Sequence, residues 1–101
     1  MEVVFRKSTQ TSIAKLIFYI EQELQMPQTA RSFSGRIQQF VFEELPTQIK
    51  INQYCSKLSW AKRELRCVVF ESKYIVAYKL VNEKLNIYHF VHGSKIKESK
   101  Y

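Results

Sequence analysis

The chain has 101 residues, of which 46% are hydrophobic and 14% aromatic, with only two Gly and two Pro. That composition suits one small folded domain over residues 1–101 and excludes a disordered or low-complexity chain. The formal charge is +7, and the whole excess lies in one half: residues 1–45 hold five basic and five acidic side chains, whereas residues 46–101 hold eleven Lys/Arg against four Glu.

A strand comes first, because Val3, Val4 and Phe5 form a β-branched and aromatic run that ends at Arg6. A helix follows, with Ser8 or Thr9 as its expected cap. Ile13, Leu16, Ile17, Ile20 and Leu24 recur at three- and four-residue steps and make one apolar stripe. This stretch also bears on the membrane. Its most apolar part, residues 12–20, is interrupted by Lys15 and followed by Glu21 and Glu23, and it is far short of the ~20 residues a span needs. No signal-peptide pattern precedes it, so the expected compartment is the cytoplasm, with no membrane contact.

Met26-Pro27 stops this helix and opens another, since proline disfavours helix at the residue before it and is tolerated in a first turn. Ala30, Phe33, Ile37, Phe40, Val41 and Leu45 then form a second stripe. Two amphipathic helices joined this tightly pack as a hairpin, and Gly35 inside the second marks a candidate close crossing. Residues 47–59 lose the helical period and read as a loop with room for a helical turn.

Residues 65–70, 74–81 and 85–91 are β-rich and are separated by Glu71-Ser72-Lys73 and Asn82-Glu83-Lys84, which predicts a three-stranded antiparallel meander. The expected fold class is α+β: β-α-α-β-β-β, an antiparallel four-stranded sheet with a helical hairpin packed on one face and the first strand added at an edge. The other face is then a basic surface, suited to a polyanion or an acidic protein. Cys55 and Cys67 have eleven residues between them and no CxxC. They read as two unlinked thiols of a cytosolic chain. As a zinc set with His89 and His92 their spacing is far from the usual two to four residues, so neither a metal nor another cofactor is expected.

The order of elements, the segment Lys73-Tyr74-Ile75-Val76-Ala77-Tyr78-Lys79-Leu80 and the ending Ile87-Tyr88-His89-Phe90-Val91-His92-Gly93-Ser94-Lys95 resemble the RelE/ParE superfamily of type II toxin–antitoxin toxins. The likeness spans nearly the whole chain and leans toward the ParE branch. It implies a growth-inhibiting toxin of the plasmid-stabilisation kind, neutralised by a cognate antitoxin, either as a homodimer or in a heterotetramer with that antitoxin. ParE-type members act on DNA gyrase; RelE-type members are endoribonucleases that cut mRNA on the ribosome.

In-line cleavage of RNA needs cations around the transition state and a group to move protons. By the resemblance, the basic position on the second strand falls on Arg66, the one after the fourth strand on Lys95, and the C-terminal tyrosine on Tyr101. Two further basic positions fall on Val68 and Ile75, which weakens the nuclease reading and favours the gyrase one. Lys79 or His89 can substitute only if the strand register brings them together. His92 is a further proton-transfer candidate because a histidine titrates near neutrality, although a place before Gly93 also suits a turn.

For partner or nucleic-acid binding the candidates are Trp60, Lys62, Arg63, Arg66, Lys79, Lys95 and Lys97. Trp and Arg are typical interface anchors, and aromatics interleaved with Lys can stack bases. The plain alternative for the cations is a solvated sheet face, and for Trp60 a cap on the core edge. A non-catalytic nucleic-acid-binding module and a family member that keeps the fold without an active surface are the remaining readings.

Overall fold

The computed structural model describes residues 1–95. Strand β1 (Val3–Phe5) leads into α1 (Lys7–Phe18), which ends in a π-helical turn over Tyr19–Glu23; α2 (Pro27–Gln39) ends in a second one over Phe40–Glu44. After a single 3-10 turn, Leu45–Thr47, the chain reaches the one-turn helix α3 (Leu58–Ala61) and then β2 (Arg66–Phe70), β3 (Tyr74–Val81) and β4 (Lys84–His92).

The four strands form one sheet in the order β1-β4-β3-β2. The meander pairs antiparallel, Val68 facing Val76 and Val76 facing Phe90. The sheet is nevertheless mixed, which corrects the all-antiparallel expectation: β1 runs parallel to β4, Val3 facing Leu85 and Phe5 facing Ile87. A parallel neighbour needs a long crossover, and everything from Arg6 to the end of β3 lies between these two strands. The first strand thus sits beside the last one rather than beside the next in sequence.

The second helical stripe is buried in full, with Ala30, Phe33, Ile37, Phe40, Val41 and Leu45 all inside. The first is shallower. Ile13, Leu16, Ile17 and Ile20 are only partly buried against the core, and Leu24 is exposed. Together the helices cover one sheet face, where Val76, Tyr78, Leu85, Ile87 and Phe90 meet Phe33, Phe40 and Val41 in the main core. Truncating a side chain such as Phe90, which is fully buried, costs about 3–5 kcal/mol in a core of this kind.

Two local expectations are overturned. Ser8 and Thr9 do not cap α1: the N-cap is Arg6, without a side-chain cap, and both hydroxyls instead donate to β4, Ser8 to the Tyr88 carbonyl at 3.0 Å and Thr9 to the Ile87 carbonyl at 2.8 Å. Because β1 is only three residues long, the first turn of α1 is carried straight onto its strand neighbour. Gly35 marks no close crossing either, since it is exposed and a Cβ there would meet nothing within 4 Å.

With so few glycines, the tight reversals place other residues at positive φ, a conformation that Asn tolerates and that strains Glu and Ser. Glu71 and Ser72, at φ 52° and 61°, turn β2 into β3; Asn82 and Glu83, at 52° and 63°, turn β3 into β4. Two successive positive-φ residues are the signature of the turn whose twist matches a hairpin. Gln25, at φ 51°, closes the helical hairpin, and the Met26 amide donates back to the Ile20 carbonyl at 3.1 Å. That is a helix-ending reversal made one residue wider by the π-helical turn before it.

A second, smaller core lies on the opposite sheet face. It joins Cys55, Trp60 and Leu65 to Ile75 and Ala77 of β3, with Tyr88 and Val91 of β4 packed at its side. Cys55 and Cys67 are joined by a disulfide, with their Cα atoms 5.0 Å apart. This overturns the expectation of two unlinked thiols. Its cause is a local pairing invisible in the residue pattern: Tyr54 bridges Arg66 antiparallel, and the Cys55 and Cys67 amides donate to the carbonyls of Leu65 and Gln53 at 2.8 and 3.0 Å.

Candidate functional site

The register of β3 and β4 slips by one residue between Ala77 and Tyr78: Ala77 faces His89, but Tyr78 faces Ile87. The extra residue is Tyr88, and the result is a β-bulge. Ile87 and Phe90 point into the main core, while Tyr88 packs beside the small core and His89 stacks on Trp60. The bulge thereby places two consecutive side chains on the helix-free face.

Trp60 comes to that face from α3. A helix of one turn has no stability of its own, so the segment is held by what it touches. Trp60 is 7% exposed and Leu65 fully buried. Lys79 Nζ donates to the Arg63 carbonyl at 3.2 Å and lies 3.6 Å from the Glu64 carboxylate, and the disulfide ties both ends to β2. Lys57, with Nζ 5.8 Å above the Trp60 ring, and Arg63 stand close enough to His89 to act on its charge.

Burial, then the positive charges of Arg63 and Lys57, push the His89 pKa below 6.5, so the imidazole is neutral near pH 7. Its Nε2 is buried with no hydrogen-bond partner. At the β1 side of the same patch, the exposed Arg6 donates to the Tyr88 hydroxyl at 2.7 Å and stacks over that ring at 4.6 Å. The arrangement is a band of aromatic rings, Tyr88, His89 and Trp60, flanked by Arg6, Lys57, Arg63 and Lys79, with the exposed Lys62 next to Arg63 in the chain. Among the described residues Arg6, Lys62 and Arg63 are in no ion pair.

The candidates named from sequence fall into three groups. Arg63 and Lys79 lie in this band, and Lys62 is exposed beside Arg63 at the end of α3. Trp60 also belongs to the band, but as a buried anchor that seats the cations rather than as an exposed contact. Arg66 does not: it faces Tyr78 across the strands, on the helix side, where its guanidinium donates to the Asn52 carbonyl at 2.6 Å and to the Tyr54 hydroxyl at 3.2 Å while stacking on Tyr54 at 4.1 Å. His92 is taken up by the turn after β4, its Nδ1 accepting the Ser94 amide at 3.1 Å with the Ser94 hydroxyl at 2.7 Å. Lys95 closes the short 3-10 turn Gly93–Lys95. Its side chain, Lys97 and Tyr101 lie outside the described residues.

The basic surface is therefore smaller than the charge count implies. Lys73 sits at one hairpin turn, and Lys84 at the other lies 3.7 Å from the Glu2 carboxylate. The band gains instead Arg6, Lys57 and Tyr88 as functional candidates, beside the His89 that the sequence already offers as a substitute. Arg6 and Tyr88 carry no signal in the sequence, because only the parallel pairing of β1 brings them together. For the segment between them the signal was present: two cysteines bracket its Trp, Lys and Arg.

Across the molecule, α1 and the end of β4 leave an open, mostly apolar groove of about 450 Å³ lined by Leu16, Tyr19, Phe90 and Val91, with Lys15 and His92 at its rim. β1 pairs with β4 only as far as Ile87, so residues 88–92 have no strand on that side among the described residues. Also among the described residues, no cluster of His, Cys, Asp and Glu fit to hold a metal occurs, and no helix is long and apolar enough to cross a membrane.

Neither a family model nor a curated protein matches this chain. Its functional reading therefore rests on the geometry above and on the resemblance carried by its own residues.

Proposed function

We propose that the chain is the toxin of a type II toxin–antitoxin pair, a ParE-like growth inhibitor that acts on DNA gyrase in the cytoplasm and is neutralised by a cognate antitoxin. The observation that carries this reading is the cationic band on the helix-free sheet face, where Lys57, Arg63 and Lys79 lie about the Trp60–His89 stack and the exposed Lys62 adjoins Arg63 in the chain. An inhibitor that works by binding needs such a fixed, charged surface and no assembled nucleophile. The groove beside α1, with the unpaired flank of β4 next to it, suits an antitoxin segment that folds on binding and adds a strand or an apolar helix.

Two commitments favour the gyrase branch over ribonuclease activity. Arg66 spends its guanidinium on Asn52 and Tyr54, and His92 spends Nδ1 on the turn. One observation keeps the nuclease as a second reading. Ala77 faces His89 and Lys79 is two residues further along β3, so the imidazole and this lysine share one face.

Induced expression in a bacterial host, with and without the neighbouring reading frame, tests the main reading. Growth arrest relieved by the neighbour, with loss of gyrase supercoiling by the purified chain, is the expected result. Normal growth with unimpaired supercoiling refutes it. Ribosome-dependent mRNA cleavage that disappears in His89→Gln would replace it with the nuclease.

A further inference from the structure

The disulfide links a face of the molecule that the main core does not need. The main core and the Trp60 core share no buried residue, and residues 56–66 are bracketed by Cys55 and Cys67, whose bond ties them to β2. Besides that bond, the segment is held by Trp60 and Leu65, by a few backbone hydrogen bonds, by contacts of Lys57 and Lys79, and at its last residue by the bonds of Arg66 to Asn52 and Tyr54. Glu64 at φ 60° adds backbone strain within it. A one-turn helix cannot hold itself together once its ends are released.

We infer that Cys55 and Cys67 form a thiol–disulfide latch that sets the state of this face. With the bond closed, Trp60 is seated on His89, with Lys57 and Arg63 gathered beside the stack. With it open, the segment lifts, Trp60 leaves the imidazole, and the cationic band disperses while the helices and sheet stay folded. The inference does not depend on the toxin reading, because it concerns only what this bond holds in place.

The chemistry is ordinary exchange with a cellular dithiol. The half-buried Cys67 is the more accessible sulfur, Cys55 being 3% exposed. A thiolate of the dithiol attacks Cys67 Sγ, the S–S bond breaks, and Cys55 leaves as a thiolate that takes up a proton. The second thiol of the dithiol then displaces Cys67. The protein gains two electrons and two protons as two thiols, and the dithiol becomes a disulfide. Closure is the reverse, with a small-molecule disulfide as the oxidant. In a reducing compartment a disulfide is typically transient rather than permanent, and a latch is a use for one that opens.

Trp60 is the chain's one tryptophan, which makes it the reporter. The full chain, oxidised in air, is compared with the same protein in excess dithiothreitol and with the Cys55→Ser/Cys67→Ser double variant. The expected result is no free thiol before reduction and two after, with Trp60 emission moved to longer wavelength and its acrylamide quenching raised about threefold, while far-UV circular dichroism is retained. The double variant should match the reduced protein with or without dithiothreitol. Two reactive thiols in the air-oxidised protein, or Trp60 emission and quenching unmoved by reduction, would overturn the latch. So would loss of the far-UV signal on reduction of the wild type, which would make the bond a staple for the whole fold.

Discussion

Trp60 lies flat on His89, with ring centroids 4.6 Å apart and planes 13° from parallel. The stack is what holds the imidazole out of water, and it makes the protein's stability depend on acidity. Burial is the main cause that lowers the His89 pKa, with Arg63 and then Lys57 adding to it. The unfolded chain therefore takes up this proton at a higher pH than the folded protein does.

The sign follows from that difference. Stability from this group is complete above the unfolded value of 6.5 and is lost as pH falls from there toward the depressed folded value. Thermal melts taken from about pH 7.5 down to about pH 5.5 should show a declining Tm in the wild type and a flatter profile in His89→Phe, which keeps a ring against Trp60. Equal slopes in the two proteins would place the proton uptake elsewhere.

Arg66 and the cations of the band should separate by readout. Arg66→Ala removes the bonds to Asn52 and Tyr54 and is expected to cost about 1–2 kcal/mol in a urea melt. Lys62→Ala and Arg63→Ala alter exposed side chains and should leave stability within about 0.5 kcal/mol. These two variants should instead elute from a heparin column at lower salt, because they remove charge from the surface that meets a polyanion. Unchanged elution of both would remove them from the site.

The turn between β3 and β4 offers a stabilising change. Asn82 and Glu83 both hold positive φ, and the second position of such a turn favours glycine. Glu83→Gly should raise stability by about 1 kcal/mol, read as a higher urea midpoint with an unchanged slope. A lower midpoint would mean that the Glu83 side chain contributes contacts outweighing its backbone strain.

Tyr78 is fully buried on the helix side, with its hydroxyl donating to the Ile49 carbonyl at 2.8 Å and accepting from the Asn52 amide at 3.0 Å. Tyr78→Phe leaves that carbonyl without this donor and is expected to cost about 1–2 kcal/mol. Since Asn52 also receives Arg66, the double variant with Arg66→Ala should cost less than the two single changes together. Strict additivity in that cycle would show the two contacts to be independent.

Much of the fold was readable from the chain, and the unreadable part has physical reasons. Val76 and Tyr78, like Leu85 and Ile87, alternate as strand residues do, and Met26-Pro27 breaks the helices where the sequence says it must. The residue pattern tells which side chains share a face but not which strand lies next to which, so the parallel place of β1 beside β4 was not visible. The same limit hid the site. In the sequence Arg66, Lys79 and Lys95 form one set of cations, yet a strand reverses face at every residue, and Arg66 lies opposite Tyr78 rather than Ala77. Lys62 and Arg63 stand out in the sequence because their charge lies in a segment without periodicity.

The extra residue at Tyr88 has a consequence for how this chain can change. Since it sets Tyr88 and His89 on one side and restores Phe90 to the other, every position up to Ile87 answers to one parity and every position from His89 onward to the opposite one. Loss of a single codon there would not merely shorten a strand. It would remove the bulge itself: without Tyr88, Ile87 inward, His89 outward and Phe90 inward follow one plain alternation, so the greasy side of the last strand survives while the band loses the ring that Arg6 holds.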